Sequence, residues 1–396
     1  MRFLEFEGEW VECKLLDIAQ KITIKNKDRR VENVISNSAQ RGLIPQLDFF
    51  DKEIANNDNT SGYYIIENGD YVYNPRKSVT APYGPVNIYK GDHLGIVSPL
   101  YLCFKVKNIN KDFLFHFFKS SSWHKFIYLN GDNGARHDRV SIKDETFFKL
   151  PVCYPKTEEQ NKIVEFLSLI DQRIETQNKI IEELKKLKTA LADGLYASSS
   201  ISPRLKFQEF QKSWMQTSIG SITQNFNRRN KNKIAYPMFS VTNDLGFVAQ
   251  VEKFGDREMV GENIDSYKVI KNGEFAYNPA RINVGSIARY NGNESCMISS
   301  LYVCFRLKND ISSHWALHLF KSHRMNFYYN VYGEGGVRVY LFYPNFARIK
   351  VSVPEFLEQE KIGSVLSVID KRIDLEINLN DKYQQQKVFL LKEMFI

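Results

Sequence analysis

Cysteine is scarce and follows no pattern. Cys13, Cys103, Cys153, Cys296 and Cys304 form no CxxC pair and no metal-ligand spacing. An odd, scattered set argues against a disulfide framework and suits a reducing cytoplasm. The chain has no basic-then-apolar leader and no apolar run of membrane length, so a soluble cytoplasmic protein is expected. It has neither a GxxxxGK[ST] phosphate loop nor a glycine-rich S-adenosylmethionine loop, which removes common routes to nucleotide or cofactor chemistry. Proline and glycine are absent from 156–193 and 364–396, and these two stretches organise the rest.

Acidic residues are the minority, 46 against 54 Lys and Arg, for a net charge of +8 and a pI near 9.0. Residues 156–196 hold 7 basic and 8 acidic side chains, and 355–396 hold 6 and 8, so the remainder carries +11. A positive field concentrated outside the helical stretches attracts polyanions, nucleic acid foremost, although a merely soluble basic surface would read the same way.

Both stretches carry a heptad pattern. Ile163, Leu167, Ile170, Ile174, Gln177, Ile181, Leu184, Lys188, Leu191 and Leu195 are spaced alternately by four and three. At an offset of 199, the second series is Ile362, Leu366, Ile369, Ile373, Glu376, Asn380, Tyr383, Lys387, Leu390 and Met394. Each is a coiled-coil seam with polar interruptions. Pro155 and Pro354 stand just ahead, where a helix start tolerates proline.

The repeat extends beyond the helices. Phe6 and Trp10 match Phe210 and Trp214. Gly69-Asp70-Tyr71-Val72-Tyr73-Asn74-Pro75 matches Gly273-Glu274-Phe275-Ala276-Tyr277-Asn278-Pro279, and Tyr101 to Lys105 matches Tyr302 to Arg306. A domain-sized unit is duplicated. Residues 1–155 and 205–354 each read as mixed α/β, with strands near 62–66, 70–73, 95–106, 284–290 and 297–307 and helices over 112–129 and 313–330. Residues 156–197 and 355–396 are the long helices, and 198–204 is a polar connection. The fold class is therefore α+β, with two mixed α/β globular domains and a pair of long helices.

Duplicated units tend to associate about a two-fold axis, which makes the helices an antiparallel coiled coil. At 1.5 Å per residue a 39-residue helix spans about 58 Å, so the globular halves are expected toward opposite ends of a rod. Pairing the polar positions predicts Lys188 against Glu376, Gln177 against Lys387, Ile181 against Tyr383, Leu184 against Asn380 and Leu191 against Ile373. Ile163, Leu167, Ile362 and Leu366 then overhang and must pack on the globular halves.

The chain resembles the specificity subunit of type I restriction–modification systems over essentially its whole length. The resemblance rests on the duplicated block and on the helix entries Pro155-Lys156-Thr157-Glu158-Glu159-Gln160 and Pro354-Glu355-Phe356-Leu357-Glu358-Gln359. The phrase from Leu205-Lys206-Phe207 to Trp214 and the Tyr-Asn-Pro element add to it; the double proline often seen at the entries is lacking. The resemblance implies two target recognition domains, each reading half of a bipartite double-stranded DNA site. It implies paired helices that act as spacer and as dock for two methyltransferase subunits, joined by translocase/nuclease subunits. S-adenosylmethionine, ATP and Mg would be used by those partners, not by this non-catalytic chain.

The residues themselves show little chemistry. Tyr73-Asn74-Pro75 and Tyr277-Asn278-Pro279 share half of an adenine methyltransferase motif, but Arg76 and Ala280 replace its second proline, so each reads as a turn leaving a strand. His314 and His318 have zinc-ligand spacing without the accompanying Glu, and His116 has only Asp112 four residues before it; they read as structural or surface histidines. Cys103 and Cys304 read as core. The alternatives are a coiled-coil protein-interaction scaffold with an incidental basic surface, or a stand-alone DNA methyltransferase.

Arg and Lys suit guanine and phosphate, and Asn suits adenine. Candidate DNA-binding residues in the first half are Lys25, Lys27, Arg29 and Arg30; Asn74, Arg76 and Lys77; and Arg136, His137 and Arg139. In the second half they are Arg228, Arg229, Lys231 and Lys233; Asn278, Arg281 and Asn283; and Arg338. The halves differ most in these loops, so an asymmetric target is expected, with half-site centres on the order of one helical turn, about 34 Å, apart.

Overall fold

A computed structural model describes residues 1–46, 57–133, 138–196, 202–250, 264–335 and 339–395. It divides into two compact units: Met1–Gln177 with Leu379–Ile396, and Asn178–Asn378. The long helices run Thr157–Leu195 and Phe356–Met394. The unit boundaries fall inside both helices, so each unit holds a stretch of each. Of the expected 198–204 connection, residues 198–201 lie outside the described residues.

Each unit is built on a four-stranded antiparallel sheet with the same order. In unit 1 it runs Ala19–Lys21, Leu102–Val106, Tyr71–Tyr73, Val86–Ile88; in unit 2, Thr223–Phe226, Val303–Leu307, Phe275–Tyr277, Ile287–Arg289. The registers match, with Tyr71 opposite Phe104 and Phe275 opposite Phe305. Both pairs are buried and stacked, with ring centroids 5.1 and 5.3 Å apart. Chain ends are tied by Val11–Lys14 against Pro151–Tyr154, and by Met215–Ser218 against Lys350–Val353.

The aromatic stretches expected as single helices are each two: Lys111–Lys119 and His124–Asn130, and Ser313–Phe320 and His323–Tyr332. Serine makes the breaks. Ser120 turns its hydroxyl back onto the Phe117 carbonyl (2.7 Å), and the Ser322 hydroxyl accepts from the Met325 N–H, which restarts a helix. The strands expected over 95–106 and 297–307 are likewise split, into Gly95–Val97 and Leu102–Val106, and Cys296–Ile298 and Val303–Leu307.

The Glu-Gln pair at each helix entry has a physical role. Gln160 and Gln359 are buried. Each accepts from the backbone N–H of a helix-capping residue, Asn110 or Ser312 (2.8 Å in both), and donates to its own entry proline, Pro155 or Pro354 (2.8 and 2.9 Å). Glu159 takes the Arg2 guanidinium at 2.7 Å and the Trp10 indole; Glu358 takes the Trp214 indole at 3.0 Å. These bonds pin the long helix to the globular body in both units. As expected, Ile163 and Leu167 lie in the core of unit 1, and Ile362 and Leu366 in that of unit 2.

Within each unit the two helix stretches are antiparallel, but the proposed register is wrong. Lys188 pairs with Asp370 (2.5 Å) rather than Glu376, and Lys387 with Asp171 rather than Gln177. Arg173 donates to the Tyr383 hydroxyl at 2.8 Å, and Glu376 pairs with Arg372 on its own helix. The lysine stems reach off the seam to flanking, half-exposed aspartates, which avoids burying an ammonium. Beside each ion pair sits a buried histidine. Burial and the nearby Lys387 ammonium pull His116 down to about 4; burial and Lys188 do the same to His318.

Candidate nucleic-acid interface

Two short basic turns are built alike. Asn26 is buried, takes the Val31 N–H on its side-chain oxygen and donates to the Val31 carbonyl (2.8 Å). Asn230 does the same with Ile234 (2.8 Å). Arg29 and Lys233 bond back to these asparagines' carbonyls in the left-handed conformation, at φ 55° and 52°. A non-glycine residue held there is unusual and points to a turn fixed by its surroundings. Lys25, Lys27, Arg29 and Arg30 are exposed, as are Arg229, Lys231 and Lys233. Arg30 pairs with Asp28 at 2.5 Å.

The Asn-Pro elements also form the same turn twice. The Asn74 side chain accepts from the Arg76 N–H, and the Asn278 side chain from the Ala280 N–H, both at 3.0 Å. The proline carbonyls then hold a second segment: Pro75 accepts from Val140, and Pro279 from Leu341. In unit 1 this places Arg76 opposite Arg139 in an antiparallel bridge, with the Lys77 N–H on the Asp138 carbonyl at 2.8 Å.

These residues line one cleft of about 420 Å³, with Arg41, Arg76, Lys77 and Arg139 as its charged lining and no carboxylate among the described lining residues. Asn37, Asn74 and Gln40 supply amides, and Ser36, Ser38, Ser78 and Thr80 supply hydroxyls. The floor is fixed by Asn37, buried and bonded to the Val72 carbonyl (2.7 Å) and to the Asn87 amide (2.6 Å). Burial pushes the Tyr101 phenol up, against the pull of Arg139 and Arg76. Four cations, rotatable hydroxyls and amides, with no carboxylate among the described lining residues, suit a polyanion that also presents hydrogen-bonding edges.

Unit 2 carries different side chains on the same turns. Ala280 stands where unit 1 has Arg76, and Tyr340 where it has Arg139. Tyr340 and Phe342 are exposed and stacked, 6.3 Å apart. Arg281 is exposed, and Asn283 bonds to Asn330 at 3.1 Å. The Arg228 guanidinium forks onto Glu274 at 2.7 and 2.9 Å and lies over the Phe226 ring. Arg136, His137 and Arg338 lie outside the described residues.

Sequence reasoning missed Asn26 and Asn230, although Lys25-Asn26-Lys27 and Arg229-Asn230-Lys231 repeat at offset 204. It also missed Arg41, Tyr101, Tyr340 and Phe342, which no local motif marks. Among the described residues no group of three or more His, Cys, Asp or Glu could hold a metal, and no helix is long and apolar enough to cross a membrane.

No curated protein matches the chain. Two solved structures share its fold over nearly the whole length. A chain from work on complex assembly and conformational transition of the type I R-M system is 13% identical, with a TM-score of 0.61, covering 98% of this chain and 97% of that one. The type I restriction-modification system S subunit from M. genitalium is 16% identical, with a TM-score of 0.56, covering 100% and 98%. The family model for the type I restriction modification DNA specificity domain matches residues 7–186 and again residues 212–385. Two copies of one family domain, each with its own helix entry, basic turn and Asn-Pro turn, place this chain in the type I restriction modification DNA specificity family.

Proposed function

We propose that each unit of this specificity subunit reads one half of an asymmetric, bipartite double-stranded DNA site. The observation that carries this reading is the duplication itself: identical turns in both units, with Arg76 and Arg139 in one and Ala280 and Tyr340 in the other. Shared turns fix where DNA lies, while unlike side chains on them make the halves of the target unlike. The chain docks two methyltransferase subunits, and translocase/nuclease subunits complete the enzyme in the cytoplasm. S-adenosylmethionine, ATP and Mg act in those partners.

Mapping methylated bases in DNA from cells carrying the gene and its methyltransferase partner is expected to give a motif with two unlike halves and an unread gap. Arg139→Ala is expected to relax one half only, by about 1–3 kcal/mol in binding if it contacts a base. Equal loss on target and random DNA would make Arg139 a phosphate contact. Wild-type complex that binds target and random DNA alike would overturn the function.

A further inference from the structure

A short hairpin lines the cleft of unit 1 and recurs in unit 2. Ile35–Ser38 pairs with Gly42–Pro45, and Phe239–Val241 with Phe247–Ala249. The register is the same, with Asn37 opposite Leu43 and Val241 opposite Phe247. Both hairpins are tied to the body at matching places. Val34 bridges to Ile96, and Met238 to Met297. The Asn37 carbonyl accepts from the Asn74 amide at 3.1 Å, and the Val241 carbonyl from the Ser286 hydroxyl at 2.8 Å.

The tips are also built alike. The Ser38 hydroxyl accepts from the Arg41 N–H at 3.2 Å, and the Thr242 hydroxyl from the Leu245 N–H at 3.1 Å. A left-handed glycine follows in each, Gly42 at φ 73° and Gly246 at φ 69°. Arg41 and Leu245 therefore hold the same tip position, at the offset of 204 that also relates Gly69 to Gly273. Both are exposed, and Arg41 lies on the cleft wall.

Both units must hold the DNA backbone, and a phosphate contact serves every sequence alike. A cation present at one tip and replaced by leucine at the other is not part of that shared grip. The backbone on each side of Arg41 is already fixed, so only its side chain has to be ordered on contact. The partner left to it in a duplex is a base edge, and a guanidinium fork fits O6 and N7 of guanine in the major groove.

We propose that Arg41 is a specificity-determining residue that donates to the O6 and N7 edge of one guanine in the half-site of unit 1, a contact that Leu245 does not make in the other half. This rests on the two units being DNA readers. The test uses the full chain with its methyltransferase partner, on duplexes of the mapped target in which each guanine in turn is replaced by 7-deazaguanine, removing only the N7 acceptor. Wild type is expected to lose about five-fold in affinity at the guanine that Arg41 contacts. Arg41→Leu, which copies the tip of unit 2, should lose about ten-fold on the natural target and erase the penalty at that one guanine, with every other penalty kept. Leu245→Ala should leave all guanine penalties unchanged.

The proposal is overturned if Arg41→Leu keeps every wild-type penalty, if no guanine shows one, or if Leu245→Ala erases one. It is also overturned if Arg41→Leu weakens target and random DNA equally, which would make Arg41 a phosphate contact, or leaves binding unchanged. In each of these cases wild type still prefers its target. A wild-type complex without target preference would instead sink the DNA-reading function, and this inference with it.

Discussion

In unit 1, Arg76 faces Arg139 across a backbone bridge; at the corresponding places in unit 2 stand Ala280 and Tyr340. Behind these positions the units share a set of buried amide bonds. Asn74 and Asn278 cap the same turn, Asn26 and Asn230 the same loop, and Gln160 and Gln359 the same helix junction. Buried amides are retained where backbone groups would otherwise lose their partners. The exposed side chains have no such duty and are free to differ. The contrast therefore separates residues that hold the surface from residues that use it.

The largest effect should be shared. Each buried histidine is held near 4 in the folded state, below the ordinary 6.5, so the unfolded chain binds protons more readily. The stability this confers is present above pH 6.5 and is lost as pH falls toward 4, on the order of 3 kcal/mol per histidine. Hydrogen exchange read separately in each unit should show the loss in both. His116→Gln should flatten it only in unit 1 and His318→Gln only in unit 2; a loss confined to one unit would break the equivalence.

Gln160→Ala and Gln359→Ala should each destabilise their own unit by about 2 kcal/mol, because a buried N–H and a buried carbonyl lose their partner together. Urea unfolding followed unit by unit checks this, and markedly unequal values would mean the two junctions are not the same device.

The smallest effect should have opposite signs. Glu159 has Arg2, whereas Glu358 has the Trp214 indole on one oxygen and, among the described residues, no hydrogen-bond partner on the other, and burial raises its carboxyl above the usual range. A raised carboxyl favours the folded state while protonated, and that contribution is lost as pH rises through the folded value. Glu358→Gln should therefore stabilise unit 2 at neutral pH and do nothing in acid. Glu159→Gln should cost unit 1 up to about 1 kcal/mol by losing a partly exposed ion pair. Melting curves at pH 4 and pH 7 distinguish the two.

Much of this was legible in the chain. Heptad spacing located both long helices, because a seam repeated over many turns has no competing interpretation. The Asn-Pro turn could be read because asparagine and proline act on their own backbone. The seam register could not: Lys188 and Lys387 reach sideways to Asp370 and Asp171, off the seam, and spacing does not encode the reach of a side chain. Nor could the serine breaks: the Ser120 hydroxyl turns back on its own helix and the Ser322 hydroxyl caps the next one, a choice that local spacing does not encode. The membership of the cleft was partly hidden. Arg76 and Arg139 are far apart in sequence and meet only because the Pro75 carbonyl holds Val140.

Leu390, Leu391, Met394 and Phe395 fill the core of unit 1, while their repeats Leu191, Ala192, Leu195 and Tyr196 serve unit 2. A gene cut in the 198–204 connection would encode a fragment with an empty socket and a spare plug of the matching kind. Two such fragments can trade plugs and close as a symmetric pair.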